Sequence, residues 1–437
     1  MRVVFLIGLS CLAAPPVPSR IQPPVPREEK PPEMPQLPEA GRIVPRIPVQ
    51  PLTLAEALSL AERNNPQLRA AQAGVEATRA GIMTAGAYLN PSLTFGSLGR
   101  QVVSISQAAY PGMLHGFNLQ QTIEPPRVRE TRIRAAQLRQ QTAEYSLAEA
   151  RLAVRGAVKQ AFYEALRRRR ETELAQGTLN LLEDLRRRIQ VQVEVGEAAR
   201  LELTRAEAEA ASARIAVRSA ELRYQAALSA LYAAVGAPLN GLEPVGEPQS
   251  VSLLPPLRDL QQEMLAKHPS LAVAESQIRV AEATAAHERA QRFPSPAVWV
   301  DWFRQPEAAQ FRYGLSIALP LWNRRQGPIA EAEATRRQTS ASYEYQRVQL
   351  LAALERAYNM YQVADQQVQI SEAGTLRQAE AAVAAAQAAF RLGERGILEV
   401  LDAQRVLRAA RLDYLNAQFD RQQALIEIEQ LRAIDLP

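Results

Sequence analysis

The side chains best suited to catalysis and metal binding are few and scattered. The 437-residue chain has three histidines, His115, His268 and His287, and one cysteine, Cys11. The histidines form neither an HExxH pattern nor another metal-ligand spacing, so they do not indicate a catalytic metal centre. The sequence also lacks the GxSxG, GxGxxG and P-loop patterns of acyl transfer and nucleotide binding. It therefore predicts a protein that is not an enzyme and that uses no cofactor.

The composition favours long helices. Hydrophobic residues make up 47% of the chain but aromatic residues only 5%, and Ala, Leu, Glu, Gln and Arg are abundant. The formal charge of +5 is small for this length, because arginines alternate with nearly as many acids. Such interleaving is typical of solvated helix faces and does not predict a nucleic-acid partner.

The N-terminal region indicates export. Residues 1–14 contain a short apolar run after Arg2 and are expected to be a signal segment, too short to span a bilayer. Cys11 ends this run, where a lipoprotein precursor carries its acylated cysteine. Ordinary cleavage and an incidental cysteine are the alternatives. Residues 15–51 are rich in proline, which predicts an extended polyproline II tether.

An internal repeat organises the rest of the chain. Asn65-Pro66-Gln67-Leu68 corresponds to His268-Pro269-Ser270-Leu271, and each motif is followed at the same distance by a Pro-Ser pair, at Pro91 and Pro294. The first repeat is expected at residues 52–236 and the second at 257–437, joined by a linker at 237–256. One supersecondary unit has been duplicated.

Each repeat is predicted to contain a helix, two strands, a very long helix, a glycine turn and a returning helix. Thr53 and Glu56 form a capping-box pattern, which predicts a helix that runs to about Tyr88. Alternating polar and apolar residues predict strands at 92–98 and 117–123 in the first repeat and at about 297–304 and 311–319 in the second.

The long helices are expected at about 127–192 and 325–390. Their returning partners are each expected to be about 40 residues long. At 1.5 Å per residue a long helix would extend roughly 100 Å, so two shorter helices placed end to end could cover it. Gly196 and Gly393 are predicted to form the turns, because a helix often ends in a left-handed residue. The pattern indicates a rod with a small sheet at one end.

The strands suit a membrane rim. Four strands cannot close a barrel, so a sheet in lipid would have to be completed by other subunits. Aromatic residues cluster in and around the second strand pair, where such side chains anchor at lipid interfaces; they are Trp299, Trp302, Phe303, Tyr313 and Trp322. A soluble sheet core is the alternative.

Several segments carry a family resemblance. They are LTLAEALSLAERNNPQLRAAQAGVEA, LNPSLTFG, LSIALPLWNRRQG and LGERGILEVLDAQRVLRAARLDYLNAQ. Together they resemble the outer-membrane efflux protein family, the TolC-like channels, over nearly all of residues 52–432. The ALPLWNRRQGPI segment and the paired Gly-Glu turns are most similar to the CzcC-like branch of heavy-metal efflux. Ile123-Glu124-Pro125-Pro126 departs from the Glu-Leu-Gly-Gly-like stretch of that branch.

The resemblance implies a mainly α protein with a small β part. Three chains would form a 12-stranded outer-membrane β-barrel on a long periplasmic α-helical barrel, with most of each chain in the periplasm. Such a trimer is a passive exit duct of a tripartite efflux system. Its partners would be outer-membrane lipid, a periplasmic adaptor and an inner-membrane pump of the resistance-nodulation-division type.

The resemblance also implies two functional sites. Glu399 and Asp402 match acidic residues at the closed periplasmic end, and on a helix they would share a face, giving stacked carboxylate rings in a trimer. Ordinary surface acids are the alternative. The hairpin tips resemble adaptor-docking sites; their residues are Gly196, Glu197, Leu201, Gly393, Glu394 and Leu398. Ordinary helix turns are the alternative there.

Two other functions remain open at the level of sequence. The duct could carry drugs or secreted polypeptides, as in type I secretion, rather than heavy-metal cations. The chain could instead be a soluble coiled-coil scaffold, with its amphipathic strands in a protein core.

Overall fold

The computed structural model describes residues 50–98, 114–238, 241–248, 254–304, 309–392 and 394–434. They lie within one compact unit that spans residues 48–437. The predicted signal segment with Cys11, the tether up to residue 49, and Gly393 lie outside the described residues.

The described part is mainly helical. Its helices are α1 Leu54–Asn64, α2 Pro66–Gly86, α3 Pro126–Glu194, α4 Arg200–Val235, α5 Leu257–Lys267, α6 Pro269–Ala290, α7 Gln326–Ile370, α8 Leu376–Arg391 and α9 Ile397–Arg432. Its strands are β1 Gln50–Leu52, β2 Ser92–Leu98, β3 Leu114–Thr122, β4 Leu242–Pro244, β5 Ala297–Arg304 and β6 Ala309–Ser316. None of these helices is both long and apolar enough to cross a bilayer.

The predicted capping box is present at Thr53. Its backbone N–H donates to Glu56 Oε2 over 2.8 Å, and its hydroxyl oxygen accepts from the Glu56 N–H. The prediction of one helix from there to about Tyr88 is wrong, because the helical conformation is interrupted at Asn65. A residue before proline disfavours the α conformation, and Asn65 has φ −64° and ψ 122°. Its side chain instead caps α2, accepting from the Gln67 N–H over 2.8 Å.

The second repeat has the same break, with a histidine as the cap. His268 Nδ1 accepts from the Ser270 N–H over 3.2 Å, and the His268 side chain is buried, while the Ser270 hydroxyl donates to Glu149. Burial lowers the pKa of His268, although the Glu149 carboxylate opposes that shift. The cap therefore depends on a neutral imidazole.

Acid should weaken this cap. Below about pH 6.5 the unfolded chain binds a proton at His268 that the folded chain resists, so stability falls as the pH drops. His268→Asn keeps an acceptor that does not titrate, as Asn65 does in the first repeat. The thermal midpoint of the detergent-solubilised variant should lose roughly 2 °C less than wild type between pH 8 and pH 5. Equal losses would contradict a titrating cap.

The long helices follow the prediction in the first repeat but not fully in the second. α3 has 69 residues without interruption, as expected for 127–192. The predicted 325–390 helix is divided into α7 and α8 by a π-helical turn, Ser371–Thr375. The returning helices, α4 and α9, have 36 residues each.

The helices form one extended layer around α3. This helix packs against α2 and α6 towards the sheet and against α4 and α9 towards the hairpin tips. α7 packs against α6 and α9, and α8 continues along α9. Shorter helices placed end to end therefore cover α3, as its length predicted.

A short parallel pair lies beside the middle of this layer. Gln50 to Leu52 pair with Leu242 to Pro244, which lie in the predicted linker. Gln50 and Pro51, the end of the predicted tether, are thus extended and hydrogen-bonded. Leu52 is buried next to Phe162 of α3 and Leu231 of α4 in the largest apolar cluster.

The four predicted strands form one antiparallel sheet in the order β2-β3-β5-β6. The first strand of each pair has the predicted bounds, whereas β3 and β6 begin three and two residues earlier than expected. β3 pairs with β5, so the two repeats meet at the centre of the sheet.

Candidate functional site

One face of the sheet carries an apolar band. Two complete rows cross all four strands, and they consist of Leu93, Leu119, Val300 and Tyr313 and of Phe95, Phe117, Trp302 and Phe311. Val298 and Leu315 extend the band by one row, beside the polar Gln121. Several of these side chains are highly exposed in the single chain, including Phe95 at 73% and Tyr313 at 78%. An exposed apolar band that crosses all four strands is typical of an interaction surface.

The opposite face of the same strands is polar. Its central row contains Thr94, Asn118, Asp301 and Arg312. The Asn118 amide donates to the Asp301 carboxylate, and Arg312 Nη2 lies 3.8 Å from the same carboxylate. Alternation along each strand thus separates an apolar face from a polar one, as in sheets that divide lipid from water.

The five predicted interface aromatics do not lie on one face. Trp302 and Tyr313 belong to the apolar band, whereas Trp299 and Phe303 lie on the polar face. Trp299 packs over Gly314, where an added Cβ would lie 2.5 Å from the indole ring. Trp322 lies beyond β6 and is 89% exposed.

Sequence reasoning missed most of the apolar band. Leu93, Phe95, Leu119 and Phe311 were visible as alternating apolar residues, but their common face depends on the register between strands. The same register places Arg312 over the ring of Phe303, with 5.0 Å from its guanidinium carbon to the ring centroid.

The first hairpin tip turns at Gly196, as predicted. Gly196 has φ 81°, and the Glu197 N–H closes the turn by donating to the Gln192 carbonyl over 2.8 Å. Glu197 is exposed, and Leu201 is 59% exposed. In the second tip the Glu394 N–H donates to the Ala389 carbonyl over 3.0 Å.

Both tips carry more exposed apolar side chains than predicted. Leu201 and Leu398 are joined by Val191, Val195 and Leu392, which is 74% exposed. The sequence signal for these apolar surfaces is the apolar residue directly before each Gly-Glu pair. A solvated turn would carry a polar residue at that position. The tips therefore present small apolar surfaces on a polar backbone turn.

The predicted gate acids are exposed on the first turns of α9. Glu399 and Asp402 share one face, while the neighbouring Val400 and Leu401 are buried against α3 and α4. This packing fixes the orientation of the helix and leaves both carboxylates outside the apolar cluster.

Each of the two predicted gate acids has an arginine partner that sequence reasoning missed. Arg395 Nη1 lies 2.7 Å from Glu399 Oε1, and Arg405 Nη1 lies 3.3 Å from Asp402 Oδ1. Arg405 also binds the Glu209 carboxylate of α4. The acids are therefore not bare charges, and Arg405 ties α9 to the neighbouring hairpin.

His268 and His287 have structural contacts. His287 Nδ1 lies 3.0 Å from the Thr131 hydroxyl, and its Nε2 lies 2.8 Å from the Gln291 amide. Burial lowers the pKa of His287. Within the described ranges no three His, Cys, Asp or Glu side chains come together as a metal site.

Comparisons with known proteins agree with this geometry. The chain is 30% identical to the cobalt-zinc-cadmium resistance protein CzcC of Cupriavidus metallidurans, over 89% of this chain and 92% of that protein. It is 25% identical to the pyoverdine export outer membrane protein OpmQ of Pseudomonas aeruginosa, over 83% of this chain and 81% of that protein.

Solved structures share the fold. The structure of CusC has a TM-score of 0.71 at 20% identity, covering 87% of this chain and 91% of that chain. VceC of Vibrio cholerae has a TM-score of 0.72 at 19% identity, covering 88% and 97%. A model of the family described as outer membrane efflux protein matches residues 57–237 and 260–433. The chain belongs to the outer membrane efflux protein family, whose members are channels and not enzymes.

Proposed function

We propose that this chain is one subunit of a passive exit duct for heavy-metal cations in a tripartite efflux system. An inner-membrane pump of the resistance-nodulation-division type would supply the energy, and a periplasmic adaptor would connect it to the duct. The observation that carries the proposal is the two-faced sheet at one end of a helical layer, with apolar Phe95 and polar Thr94 on opposite faces. The apolar face would contact outer-membrane lipid and the polar face would line a water-filled exit.

Assembly of three subunits accounts for the surfaces that one chain leaves uncovered. In the described part of the chain, β2 and β6 each pair with a neighbour on one side only, and open edges are excluded from lipid because their backbone groups lack partners. Three sheets joined edge to edge would form a closed 12-stranded wall. Exposed apolar side chains on the outer helices α4 and α7 would pack between subunits; they are Ile215, Leu222, Tyr345, Val348, Met360 and Val363.

The two ends of the layer would then have different tasks. Glu399 and Asp402 would form rings at the periplasmic end, each carboxylate paired with an arginine in the resting state. The hairpin tips would dock on the adaptor through their apolar side chains. Cys11, if acylated, would anchor the N-terminal tether in the same membrane.

Replacing Leu201 and Leu398 together with serine should weaken adaptor binding by about thirtyfold or more, because two apolar contacts of about 1–2 kcal/mol each are lost. Trimer formation should be unchanged, since both leucines lie at the tips and not among the side chains expected to pack between subunits. The measurement is co-purification of the adaptor, with Met83→Ser on α2 as a control that lies away from the tips. Unchanged adaptor recovery would argue against docking at these leucines.

Heavy-metal cations are the proposed cargo because the metal-resistance relative is 30% identical over most of both chains. The pyoverdine-export relatives, at 25% and 24% identity, favour an organic molecule as the second candidate. A passive duct needs no tight cargo site, so the cognate pump would set the choice.

Current recordings across planar bilayers test the duct itself. Each insertion of the purified protein should appear as a discrete step in conductance. Only trimers should produce such steps. Cations should permeate in preference to anions if the paired acids line the narrow end. Stable trimers that give no current would overturn the proposal.

A further inference from the structure

Apolar residues line one face of α7 and α8, and we call this line of residues the seam. The number of residues from one seam position to the next changes once. Apolar residues with little exposure recur at Tyr361, Val368, Leu376, Val383 and Phe390, in steps of seven, eight, seven and seven, and all but Val368 belong to apolar clusters shared with α9. A packed helix pair with a seven-residue repeat cannot absorb one extra residue without turning its apolar seam away from its partner.

The π turn absorbs this extra residue. Leu376 donates its N–H to the Ser371 carbonyl, five residues back, so the turn Ser371–Thr375 holds one residue more than an α turn. The seam of α8 therefore stays against α9. α3 in the first repeat reaches its own hairpin tip without such a turn.

The π turn lies in a gap between two apolar clusters. On the α7 side, Leu354 and Tyr361 pack against Leu425 and Ile428 of α9. On the tip side, Ala379 and Val383 pack against Leu407 and Ala410. None of the five residues in the turn is buried. Apolar packing therefore holds the helices on both sides of the turn but not at it.

Polar contacts hold α9 across this gap. The Tyr414 hydroxyl donates to Glu372 Oε1 over 2.5 Å, at the second residue of the π turn. Arg421 Nη1 lies 3.0 Å from Asp365 on the α7 side, and Arg411 Nη2 lies 3.0 Å from Glu380 on the α8 side. Exposed and half-buried ion pairs and hydrogen bonds such as these break at less cost than a buried apolar core.

We propose that the π turn Ser371–Thr375 is a pivot, and that the Tyr414–Glu372 hydrogen bond is the latch that holds its resting position. Movement at the pivot swings α8 and the second tip relative to α7, while the helices beside the sheet keep their packing. The inference rests on the proposed function, because a pivot is useful in a channel that must open.

Hydrogen exchange in the wild-type protein tests the pivot without any variant. Backbone amides of residues 371–376 should exchange about tenfold faster than those of Ala357 to Ala364 and of Ala379 to Val383, because the turn opens locally while its neighbours stay packed. Equal protection along α7, the turn and α8 would overturn the proposal.

Spin-label distances test the latch and the register. Labels at Arg188 of α3 and Ala385 of α8, in chains diluted with unlabelled chain, report the separation of the two hairpins. Tyr414→Phe should broaden this distance distribution, and about threefold more chains should occupy the displaced state, as loss of one hydrogen bond predicts. Deletion of Ala373 restores the seven-residue step and should remove that broadening in the Tyr414→Phe background.

Two results would overturn the pivot: Tyr414→Phe with an unchanged distribution, or broadening that survives the deletion. If the deletion prevents folding, the exchange experiment and the single substitution still decide. Failure of the pivot is distinguishable from failure of the duct, since a conducting trimer with uniform protection refutes the first alone. Rapid exchange at 371–376 in a protein without conductance refutes the second alone.

Discussion

Arginine in place of Phe95 should abolish assembly in the outer membrane. Phe95 lies in a complete apolar row of the sheet and is 73% exposed in the single chain. The substitution should cost little folding free energy in a single chain in water, because the Phe95 side chain has few contacts there. In lipid, an arginine near the middle of the bilayer costs about 2–4 kcal/mol per chain, and a trimer would contain three. The measurement is the amount of trimer in the outer-membrane fraction.

Thr94→Arg is the matched control. Thr94 is the preceding residue on the same strand, is also exposed, and lies on the polar face. The same charge there would face water, so the trimer yield should remain near that of wild type. Equal yields for Phe95→Arg and Thr94→Arg would contradict the assignment of the apolar face to lipid.

Replacing Arg405 with alanine should increase the conductance of the duct. Arg405 binds Glu209 on α4 and Asp402 on α9, so its loss unties the second hairpin from the first and leaves two acids uncompensated. In the proposed trimer, like charges in three copies would then repel one another at the proposed gate. We expect single-channel conductance to rise by about threefold or more, since each exposed ion pair contributes up to about 1 kcal/mol.

Arg395→Ala distinguishes the effect of losing the α4–α9 contact from the effect of losing one positive charge. Arg395 pairs with Glu399 within the same turn of chain, so this variant removes an equal charge near the same end but breaks no contact between hairpins. Its conductance should change less than that of Arg405→Ala, although its cation preference should rise. If both variants conduct alike, charge rather than the α4–α9 contact controls the opening.

Local patterns in the sequence predicted most of the fold. Thr53 and Glu56 fixed the start of the first helix, and the proline-free stretch after Pro126 predicted α3 within two residues at each end. These features depend on neighbours in the chain. The break at Asn65 also has a local cause, the following proline, and a strict reading of Pro66 would have found it.

Contacts between distant segments explain what the sequence did not reveal. Glu209 and Arg405 are 196 residues apart, so no local spacing predicts their pairing. Alternation alone places Trp299 and Trp302, three residues apart in β5, on opposite faces, whereas the rows that they join across the sheet depend on the strand register. The π turn followed from the eight-residue step between Val368 and Leu376, which is detectable only once the facing residues of α9 are known.

Metal susceptibility of a strain that lacks this gene tests the central claim most directly. Growth should be inhibited at lower concentrations of cobalt, zinc or cadmium than in the parent strain, and the intact gene should restore tolerance. The Phe95→Arg variant should fail to restore it. Unchanged metal tolerance together with new sensitivity to dyes, antibiotics or other organic molecules would contradict the metal-efflux account and assign the duct to an organic cargo.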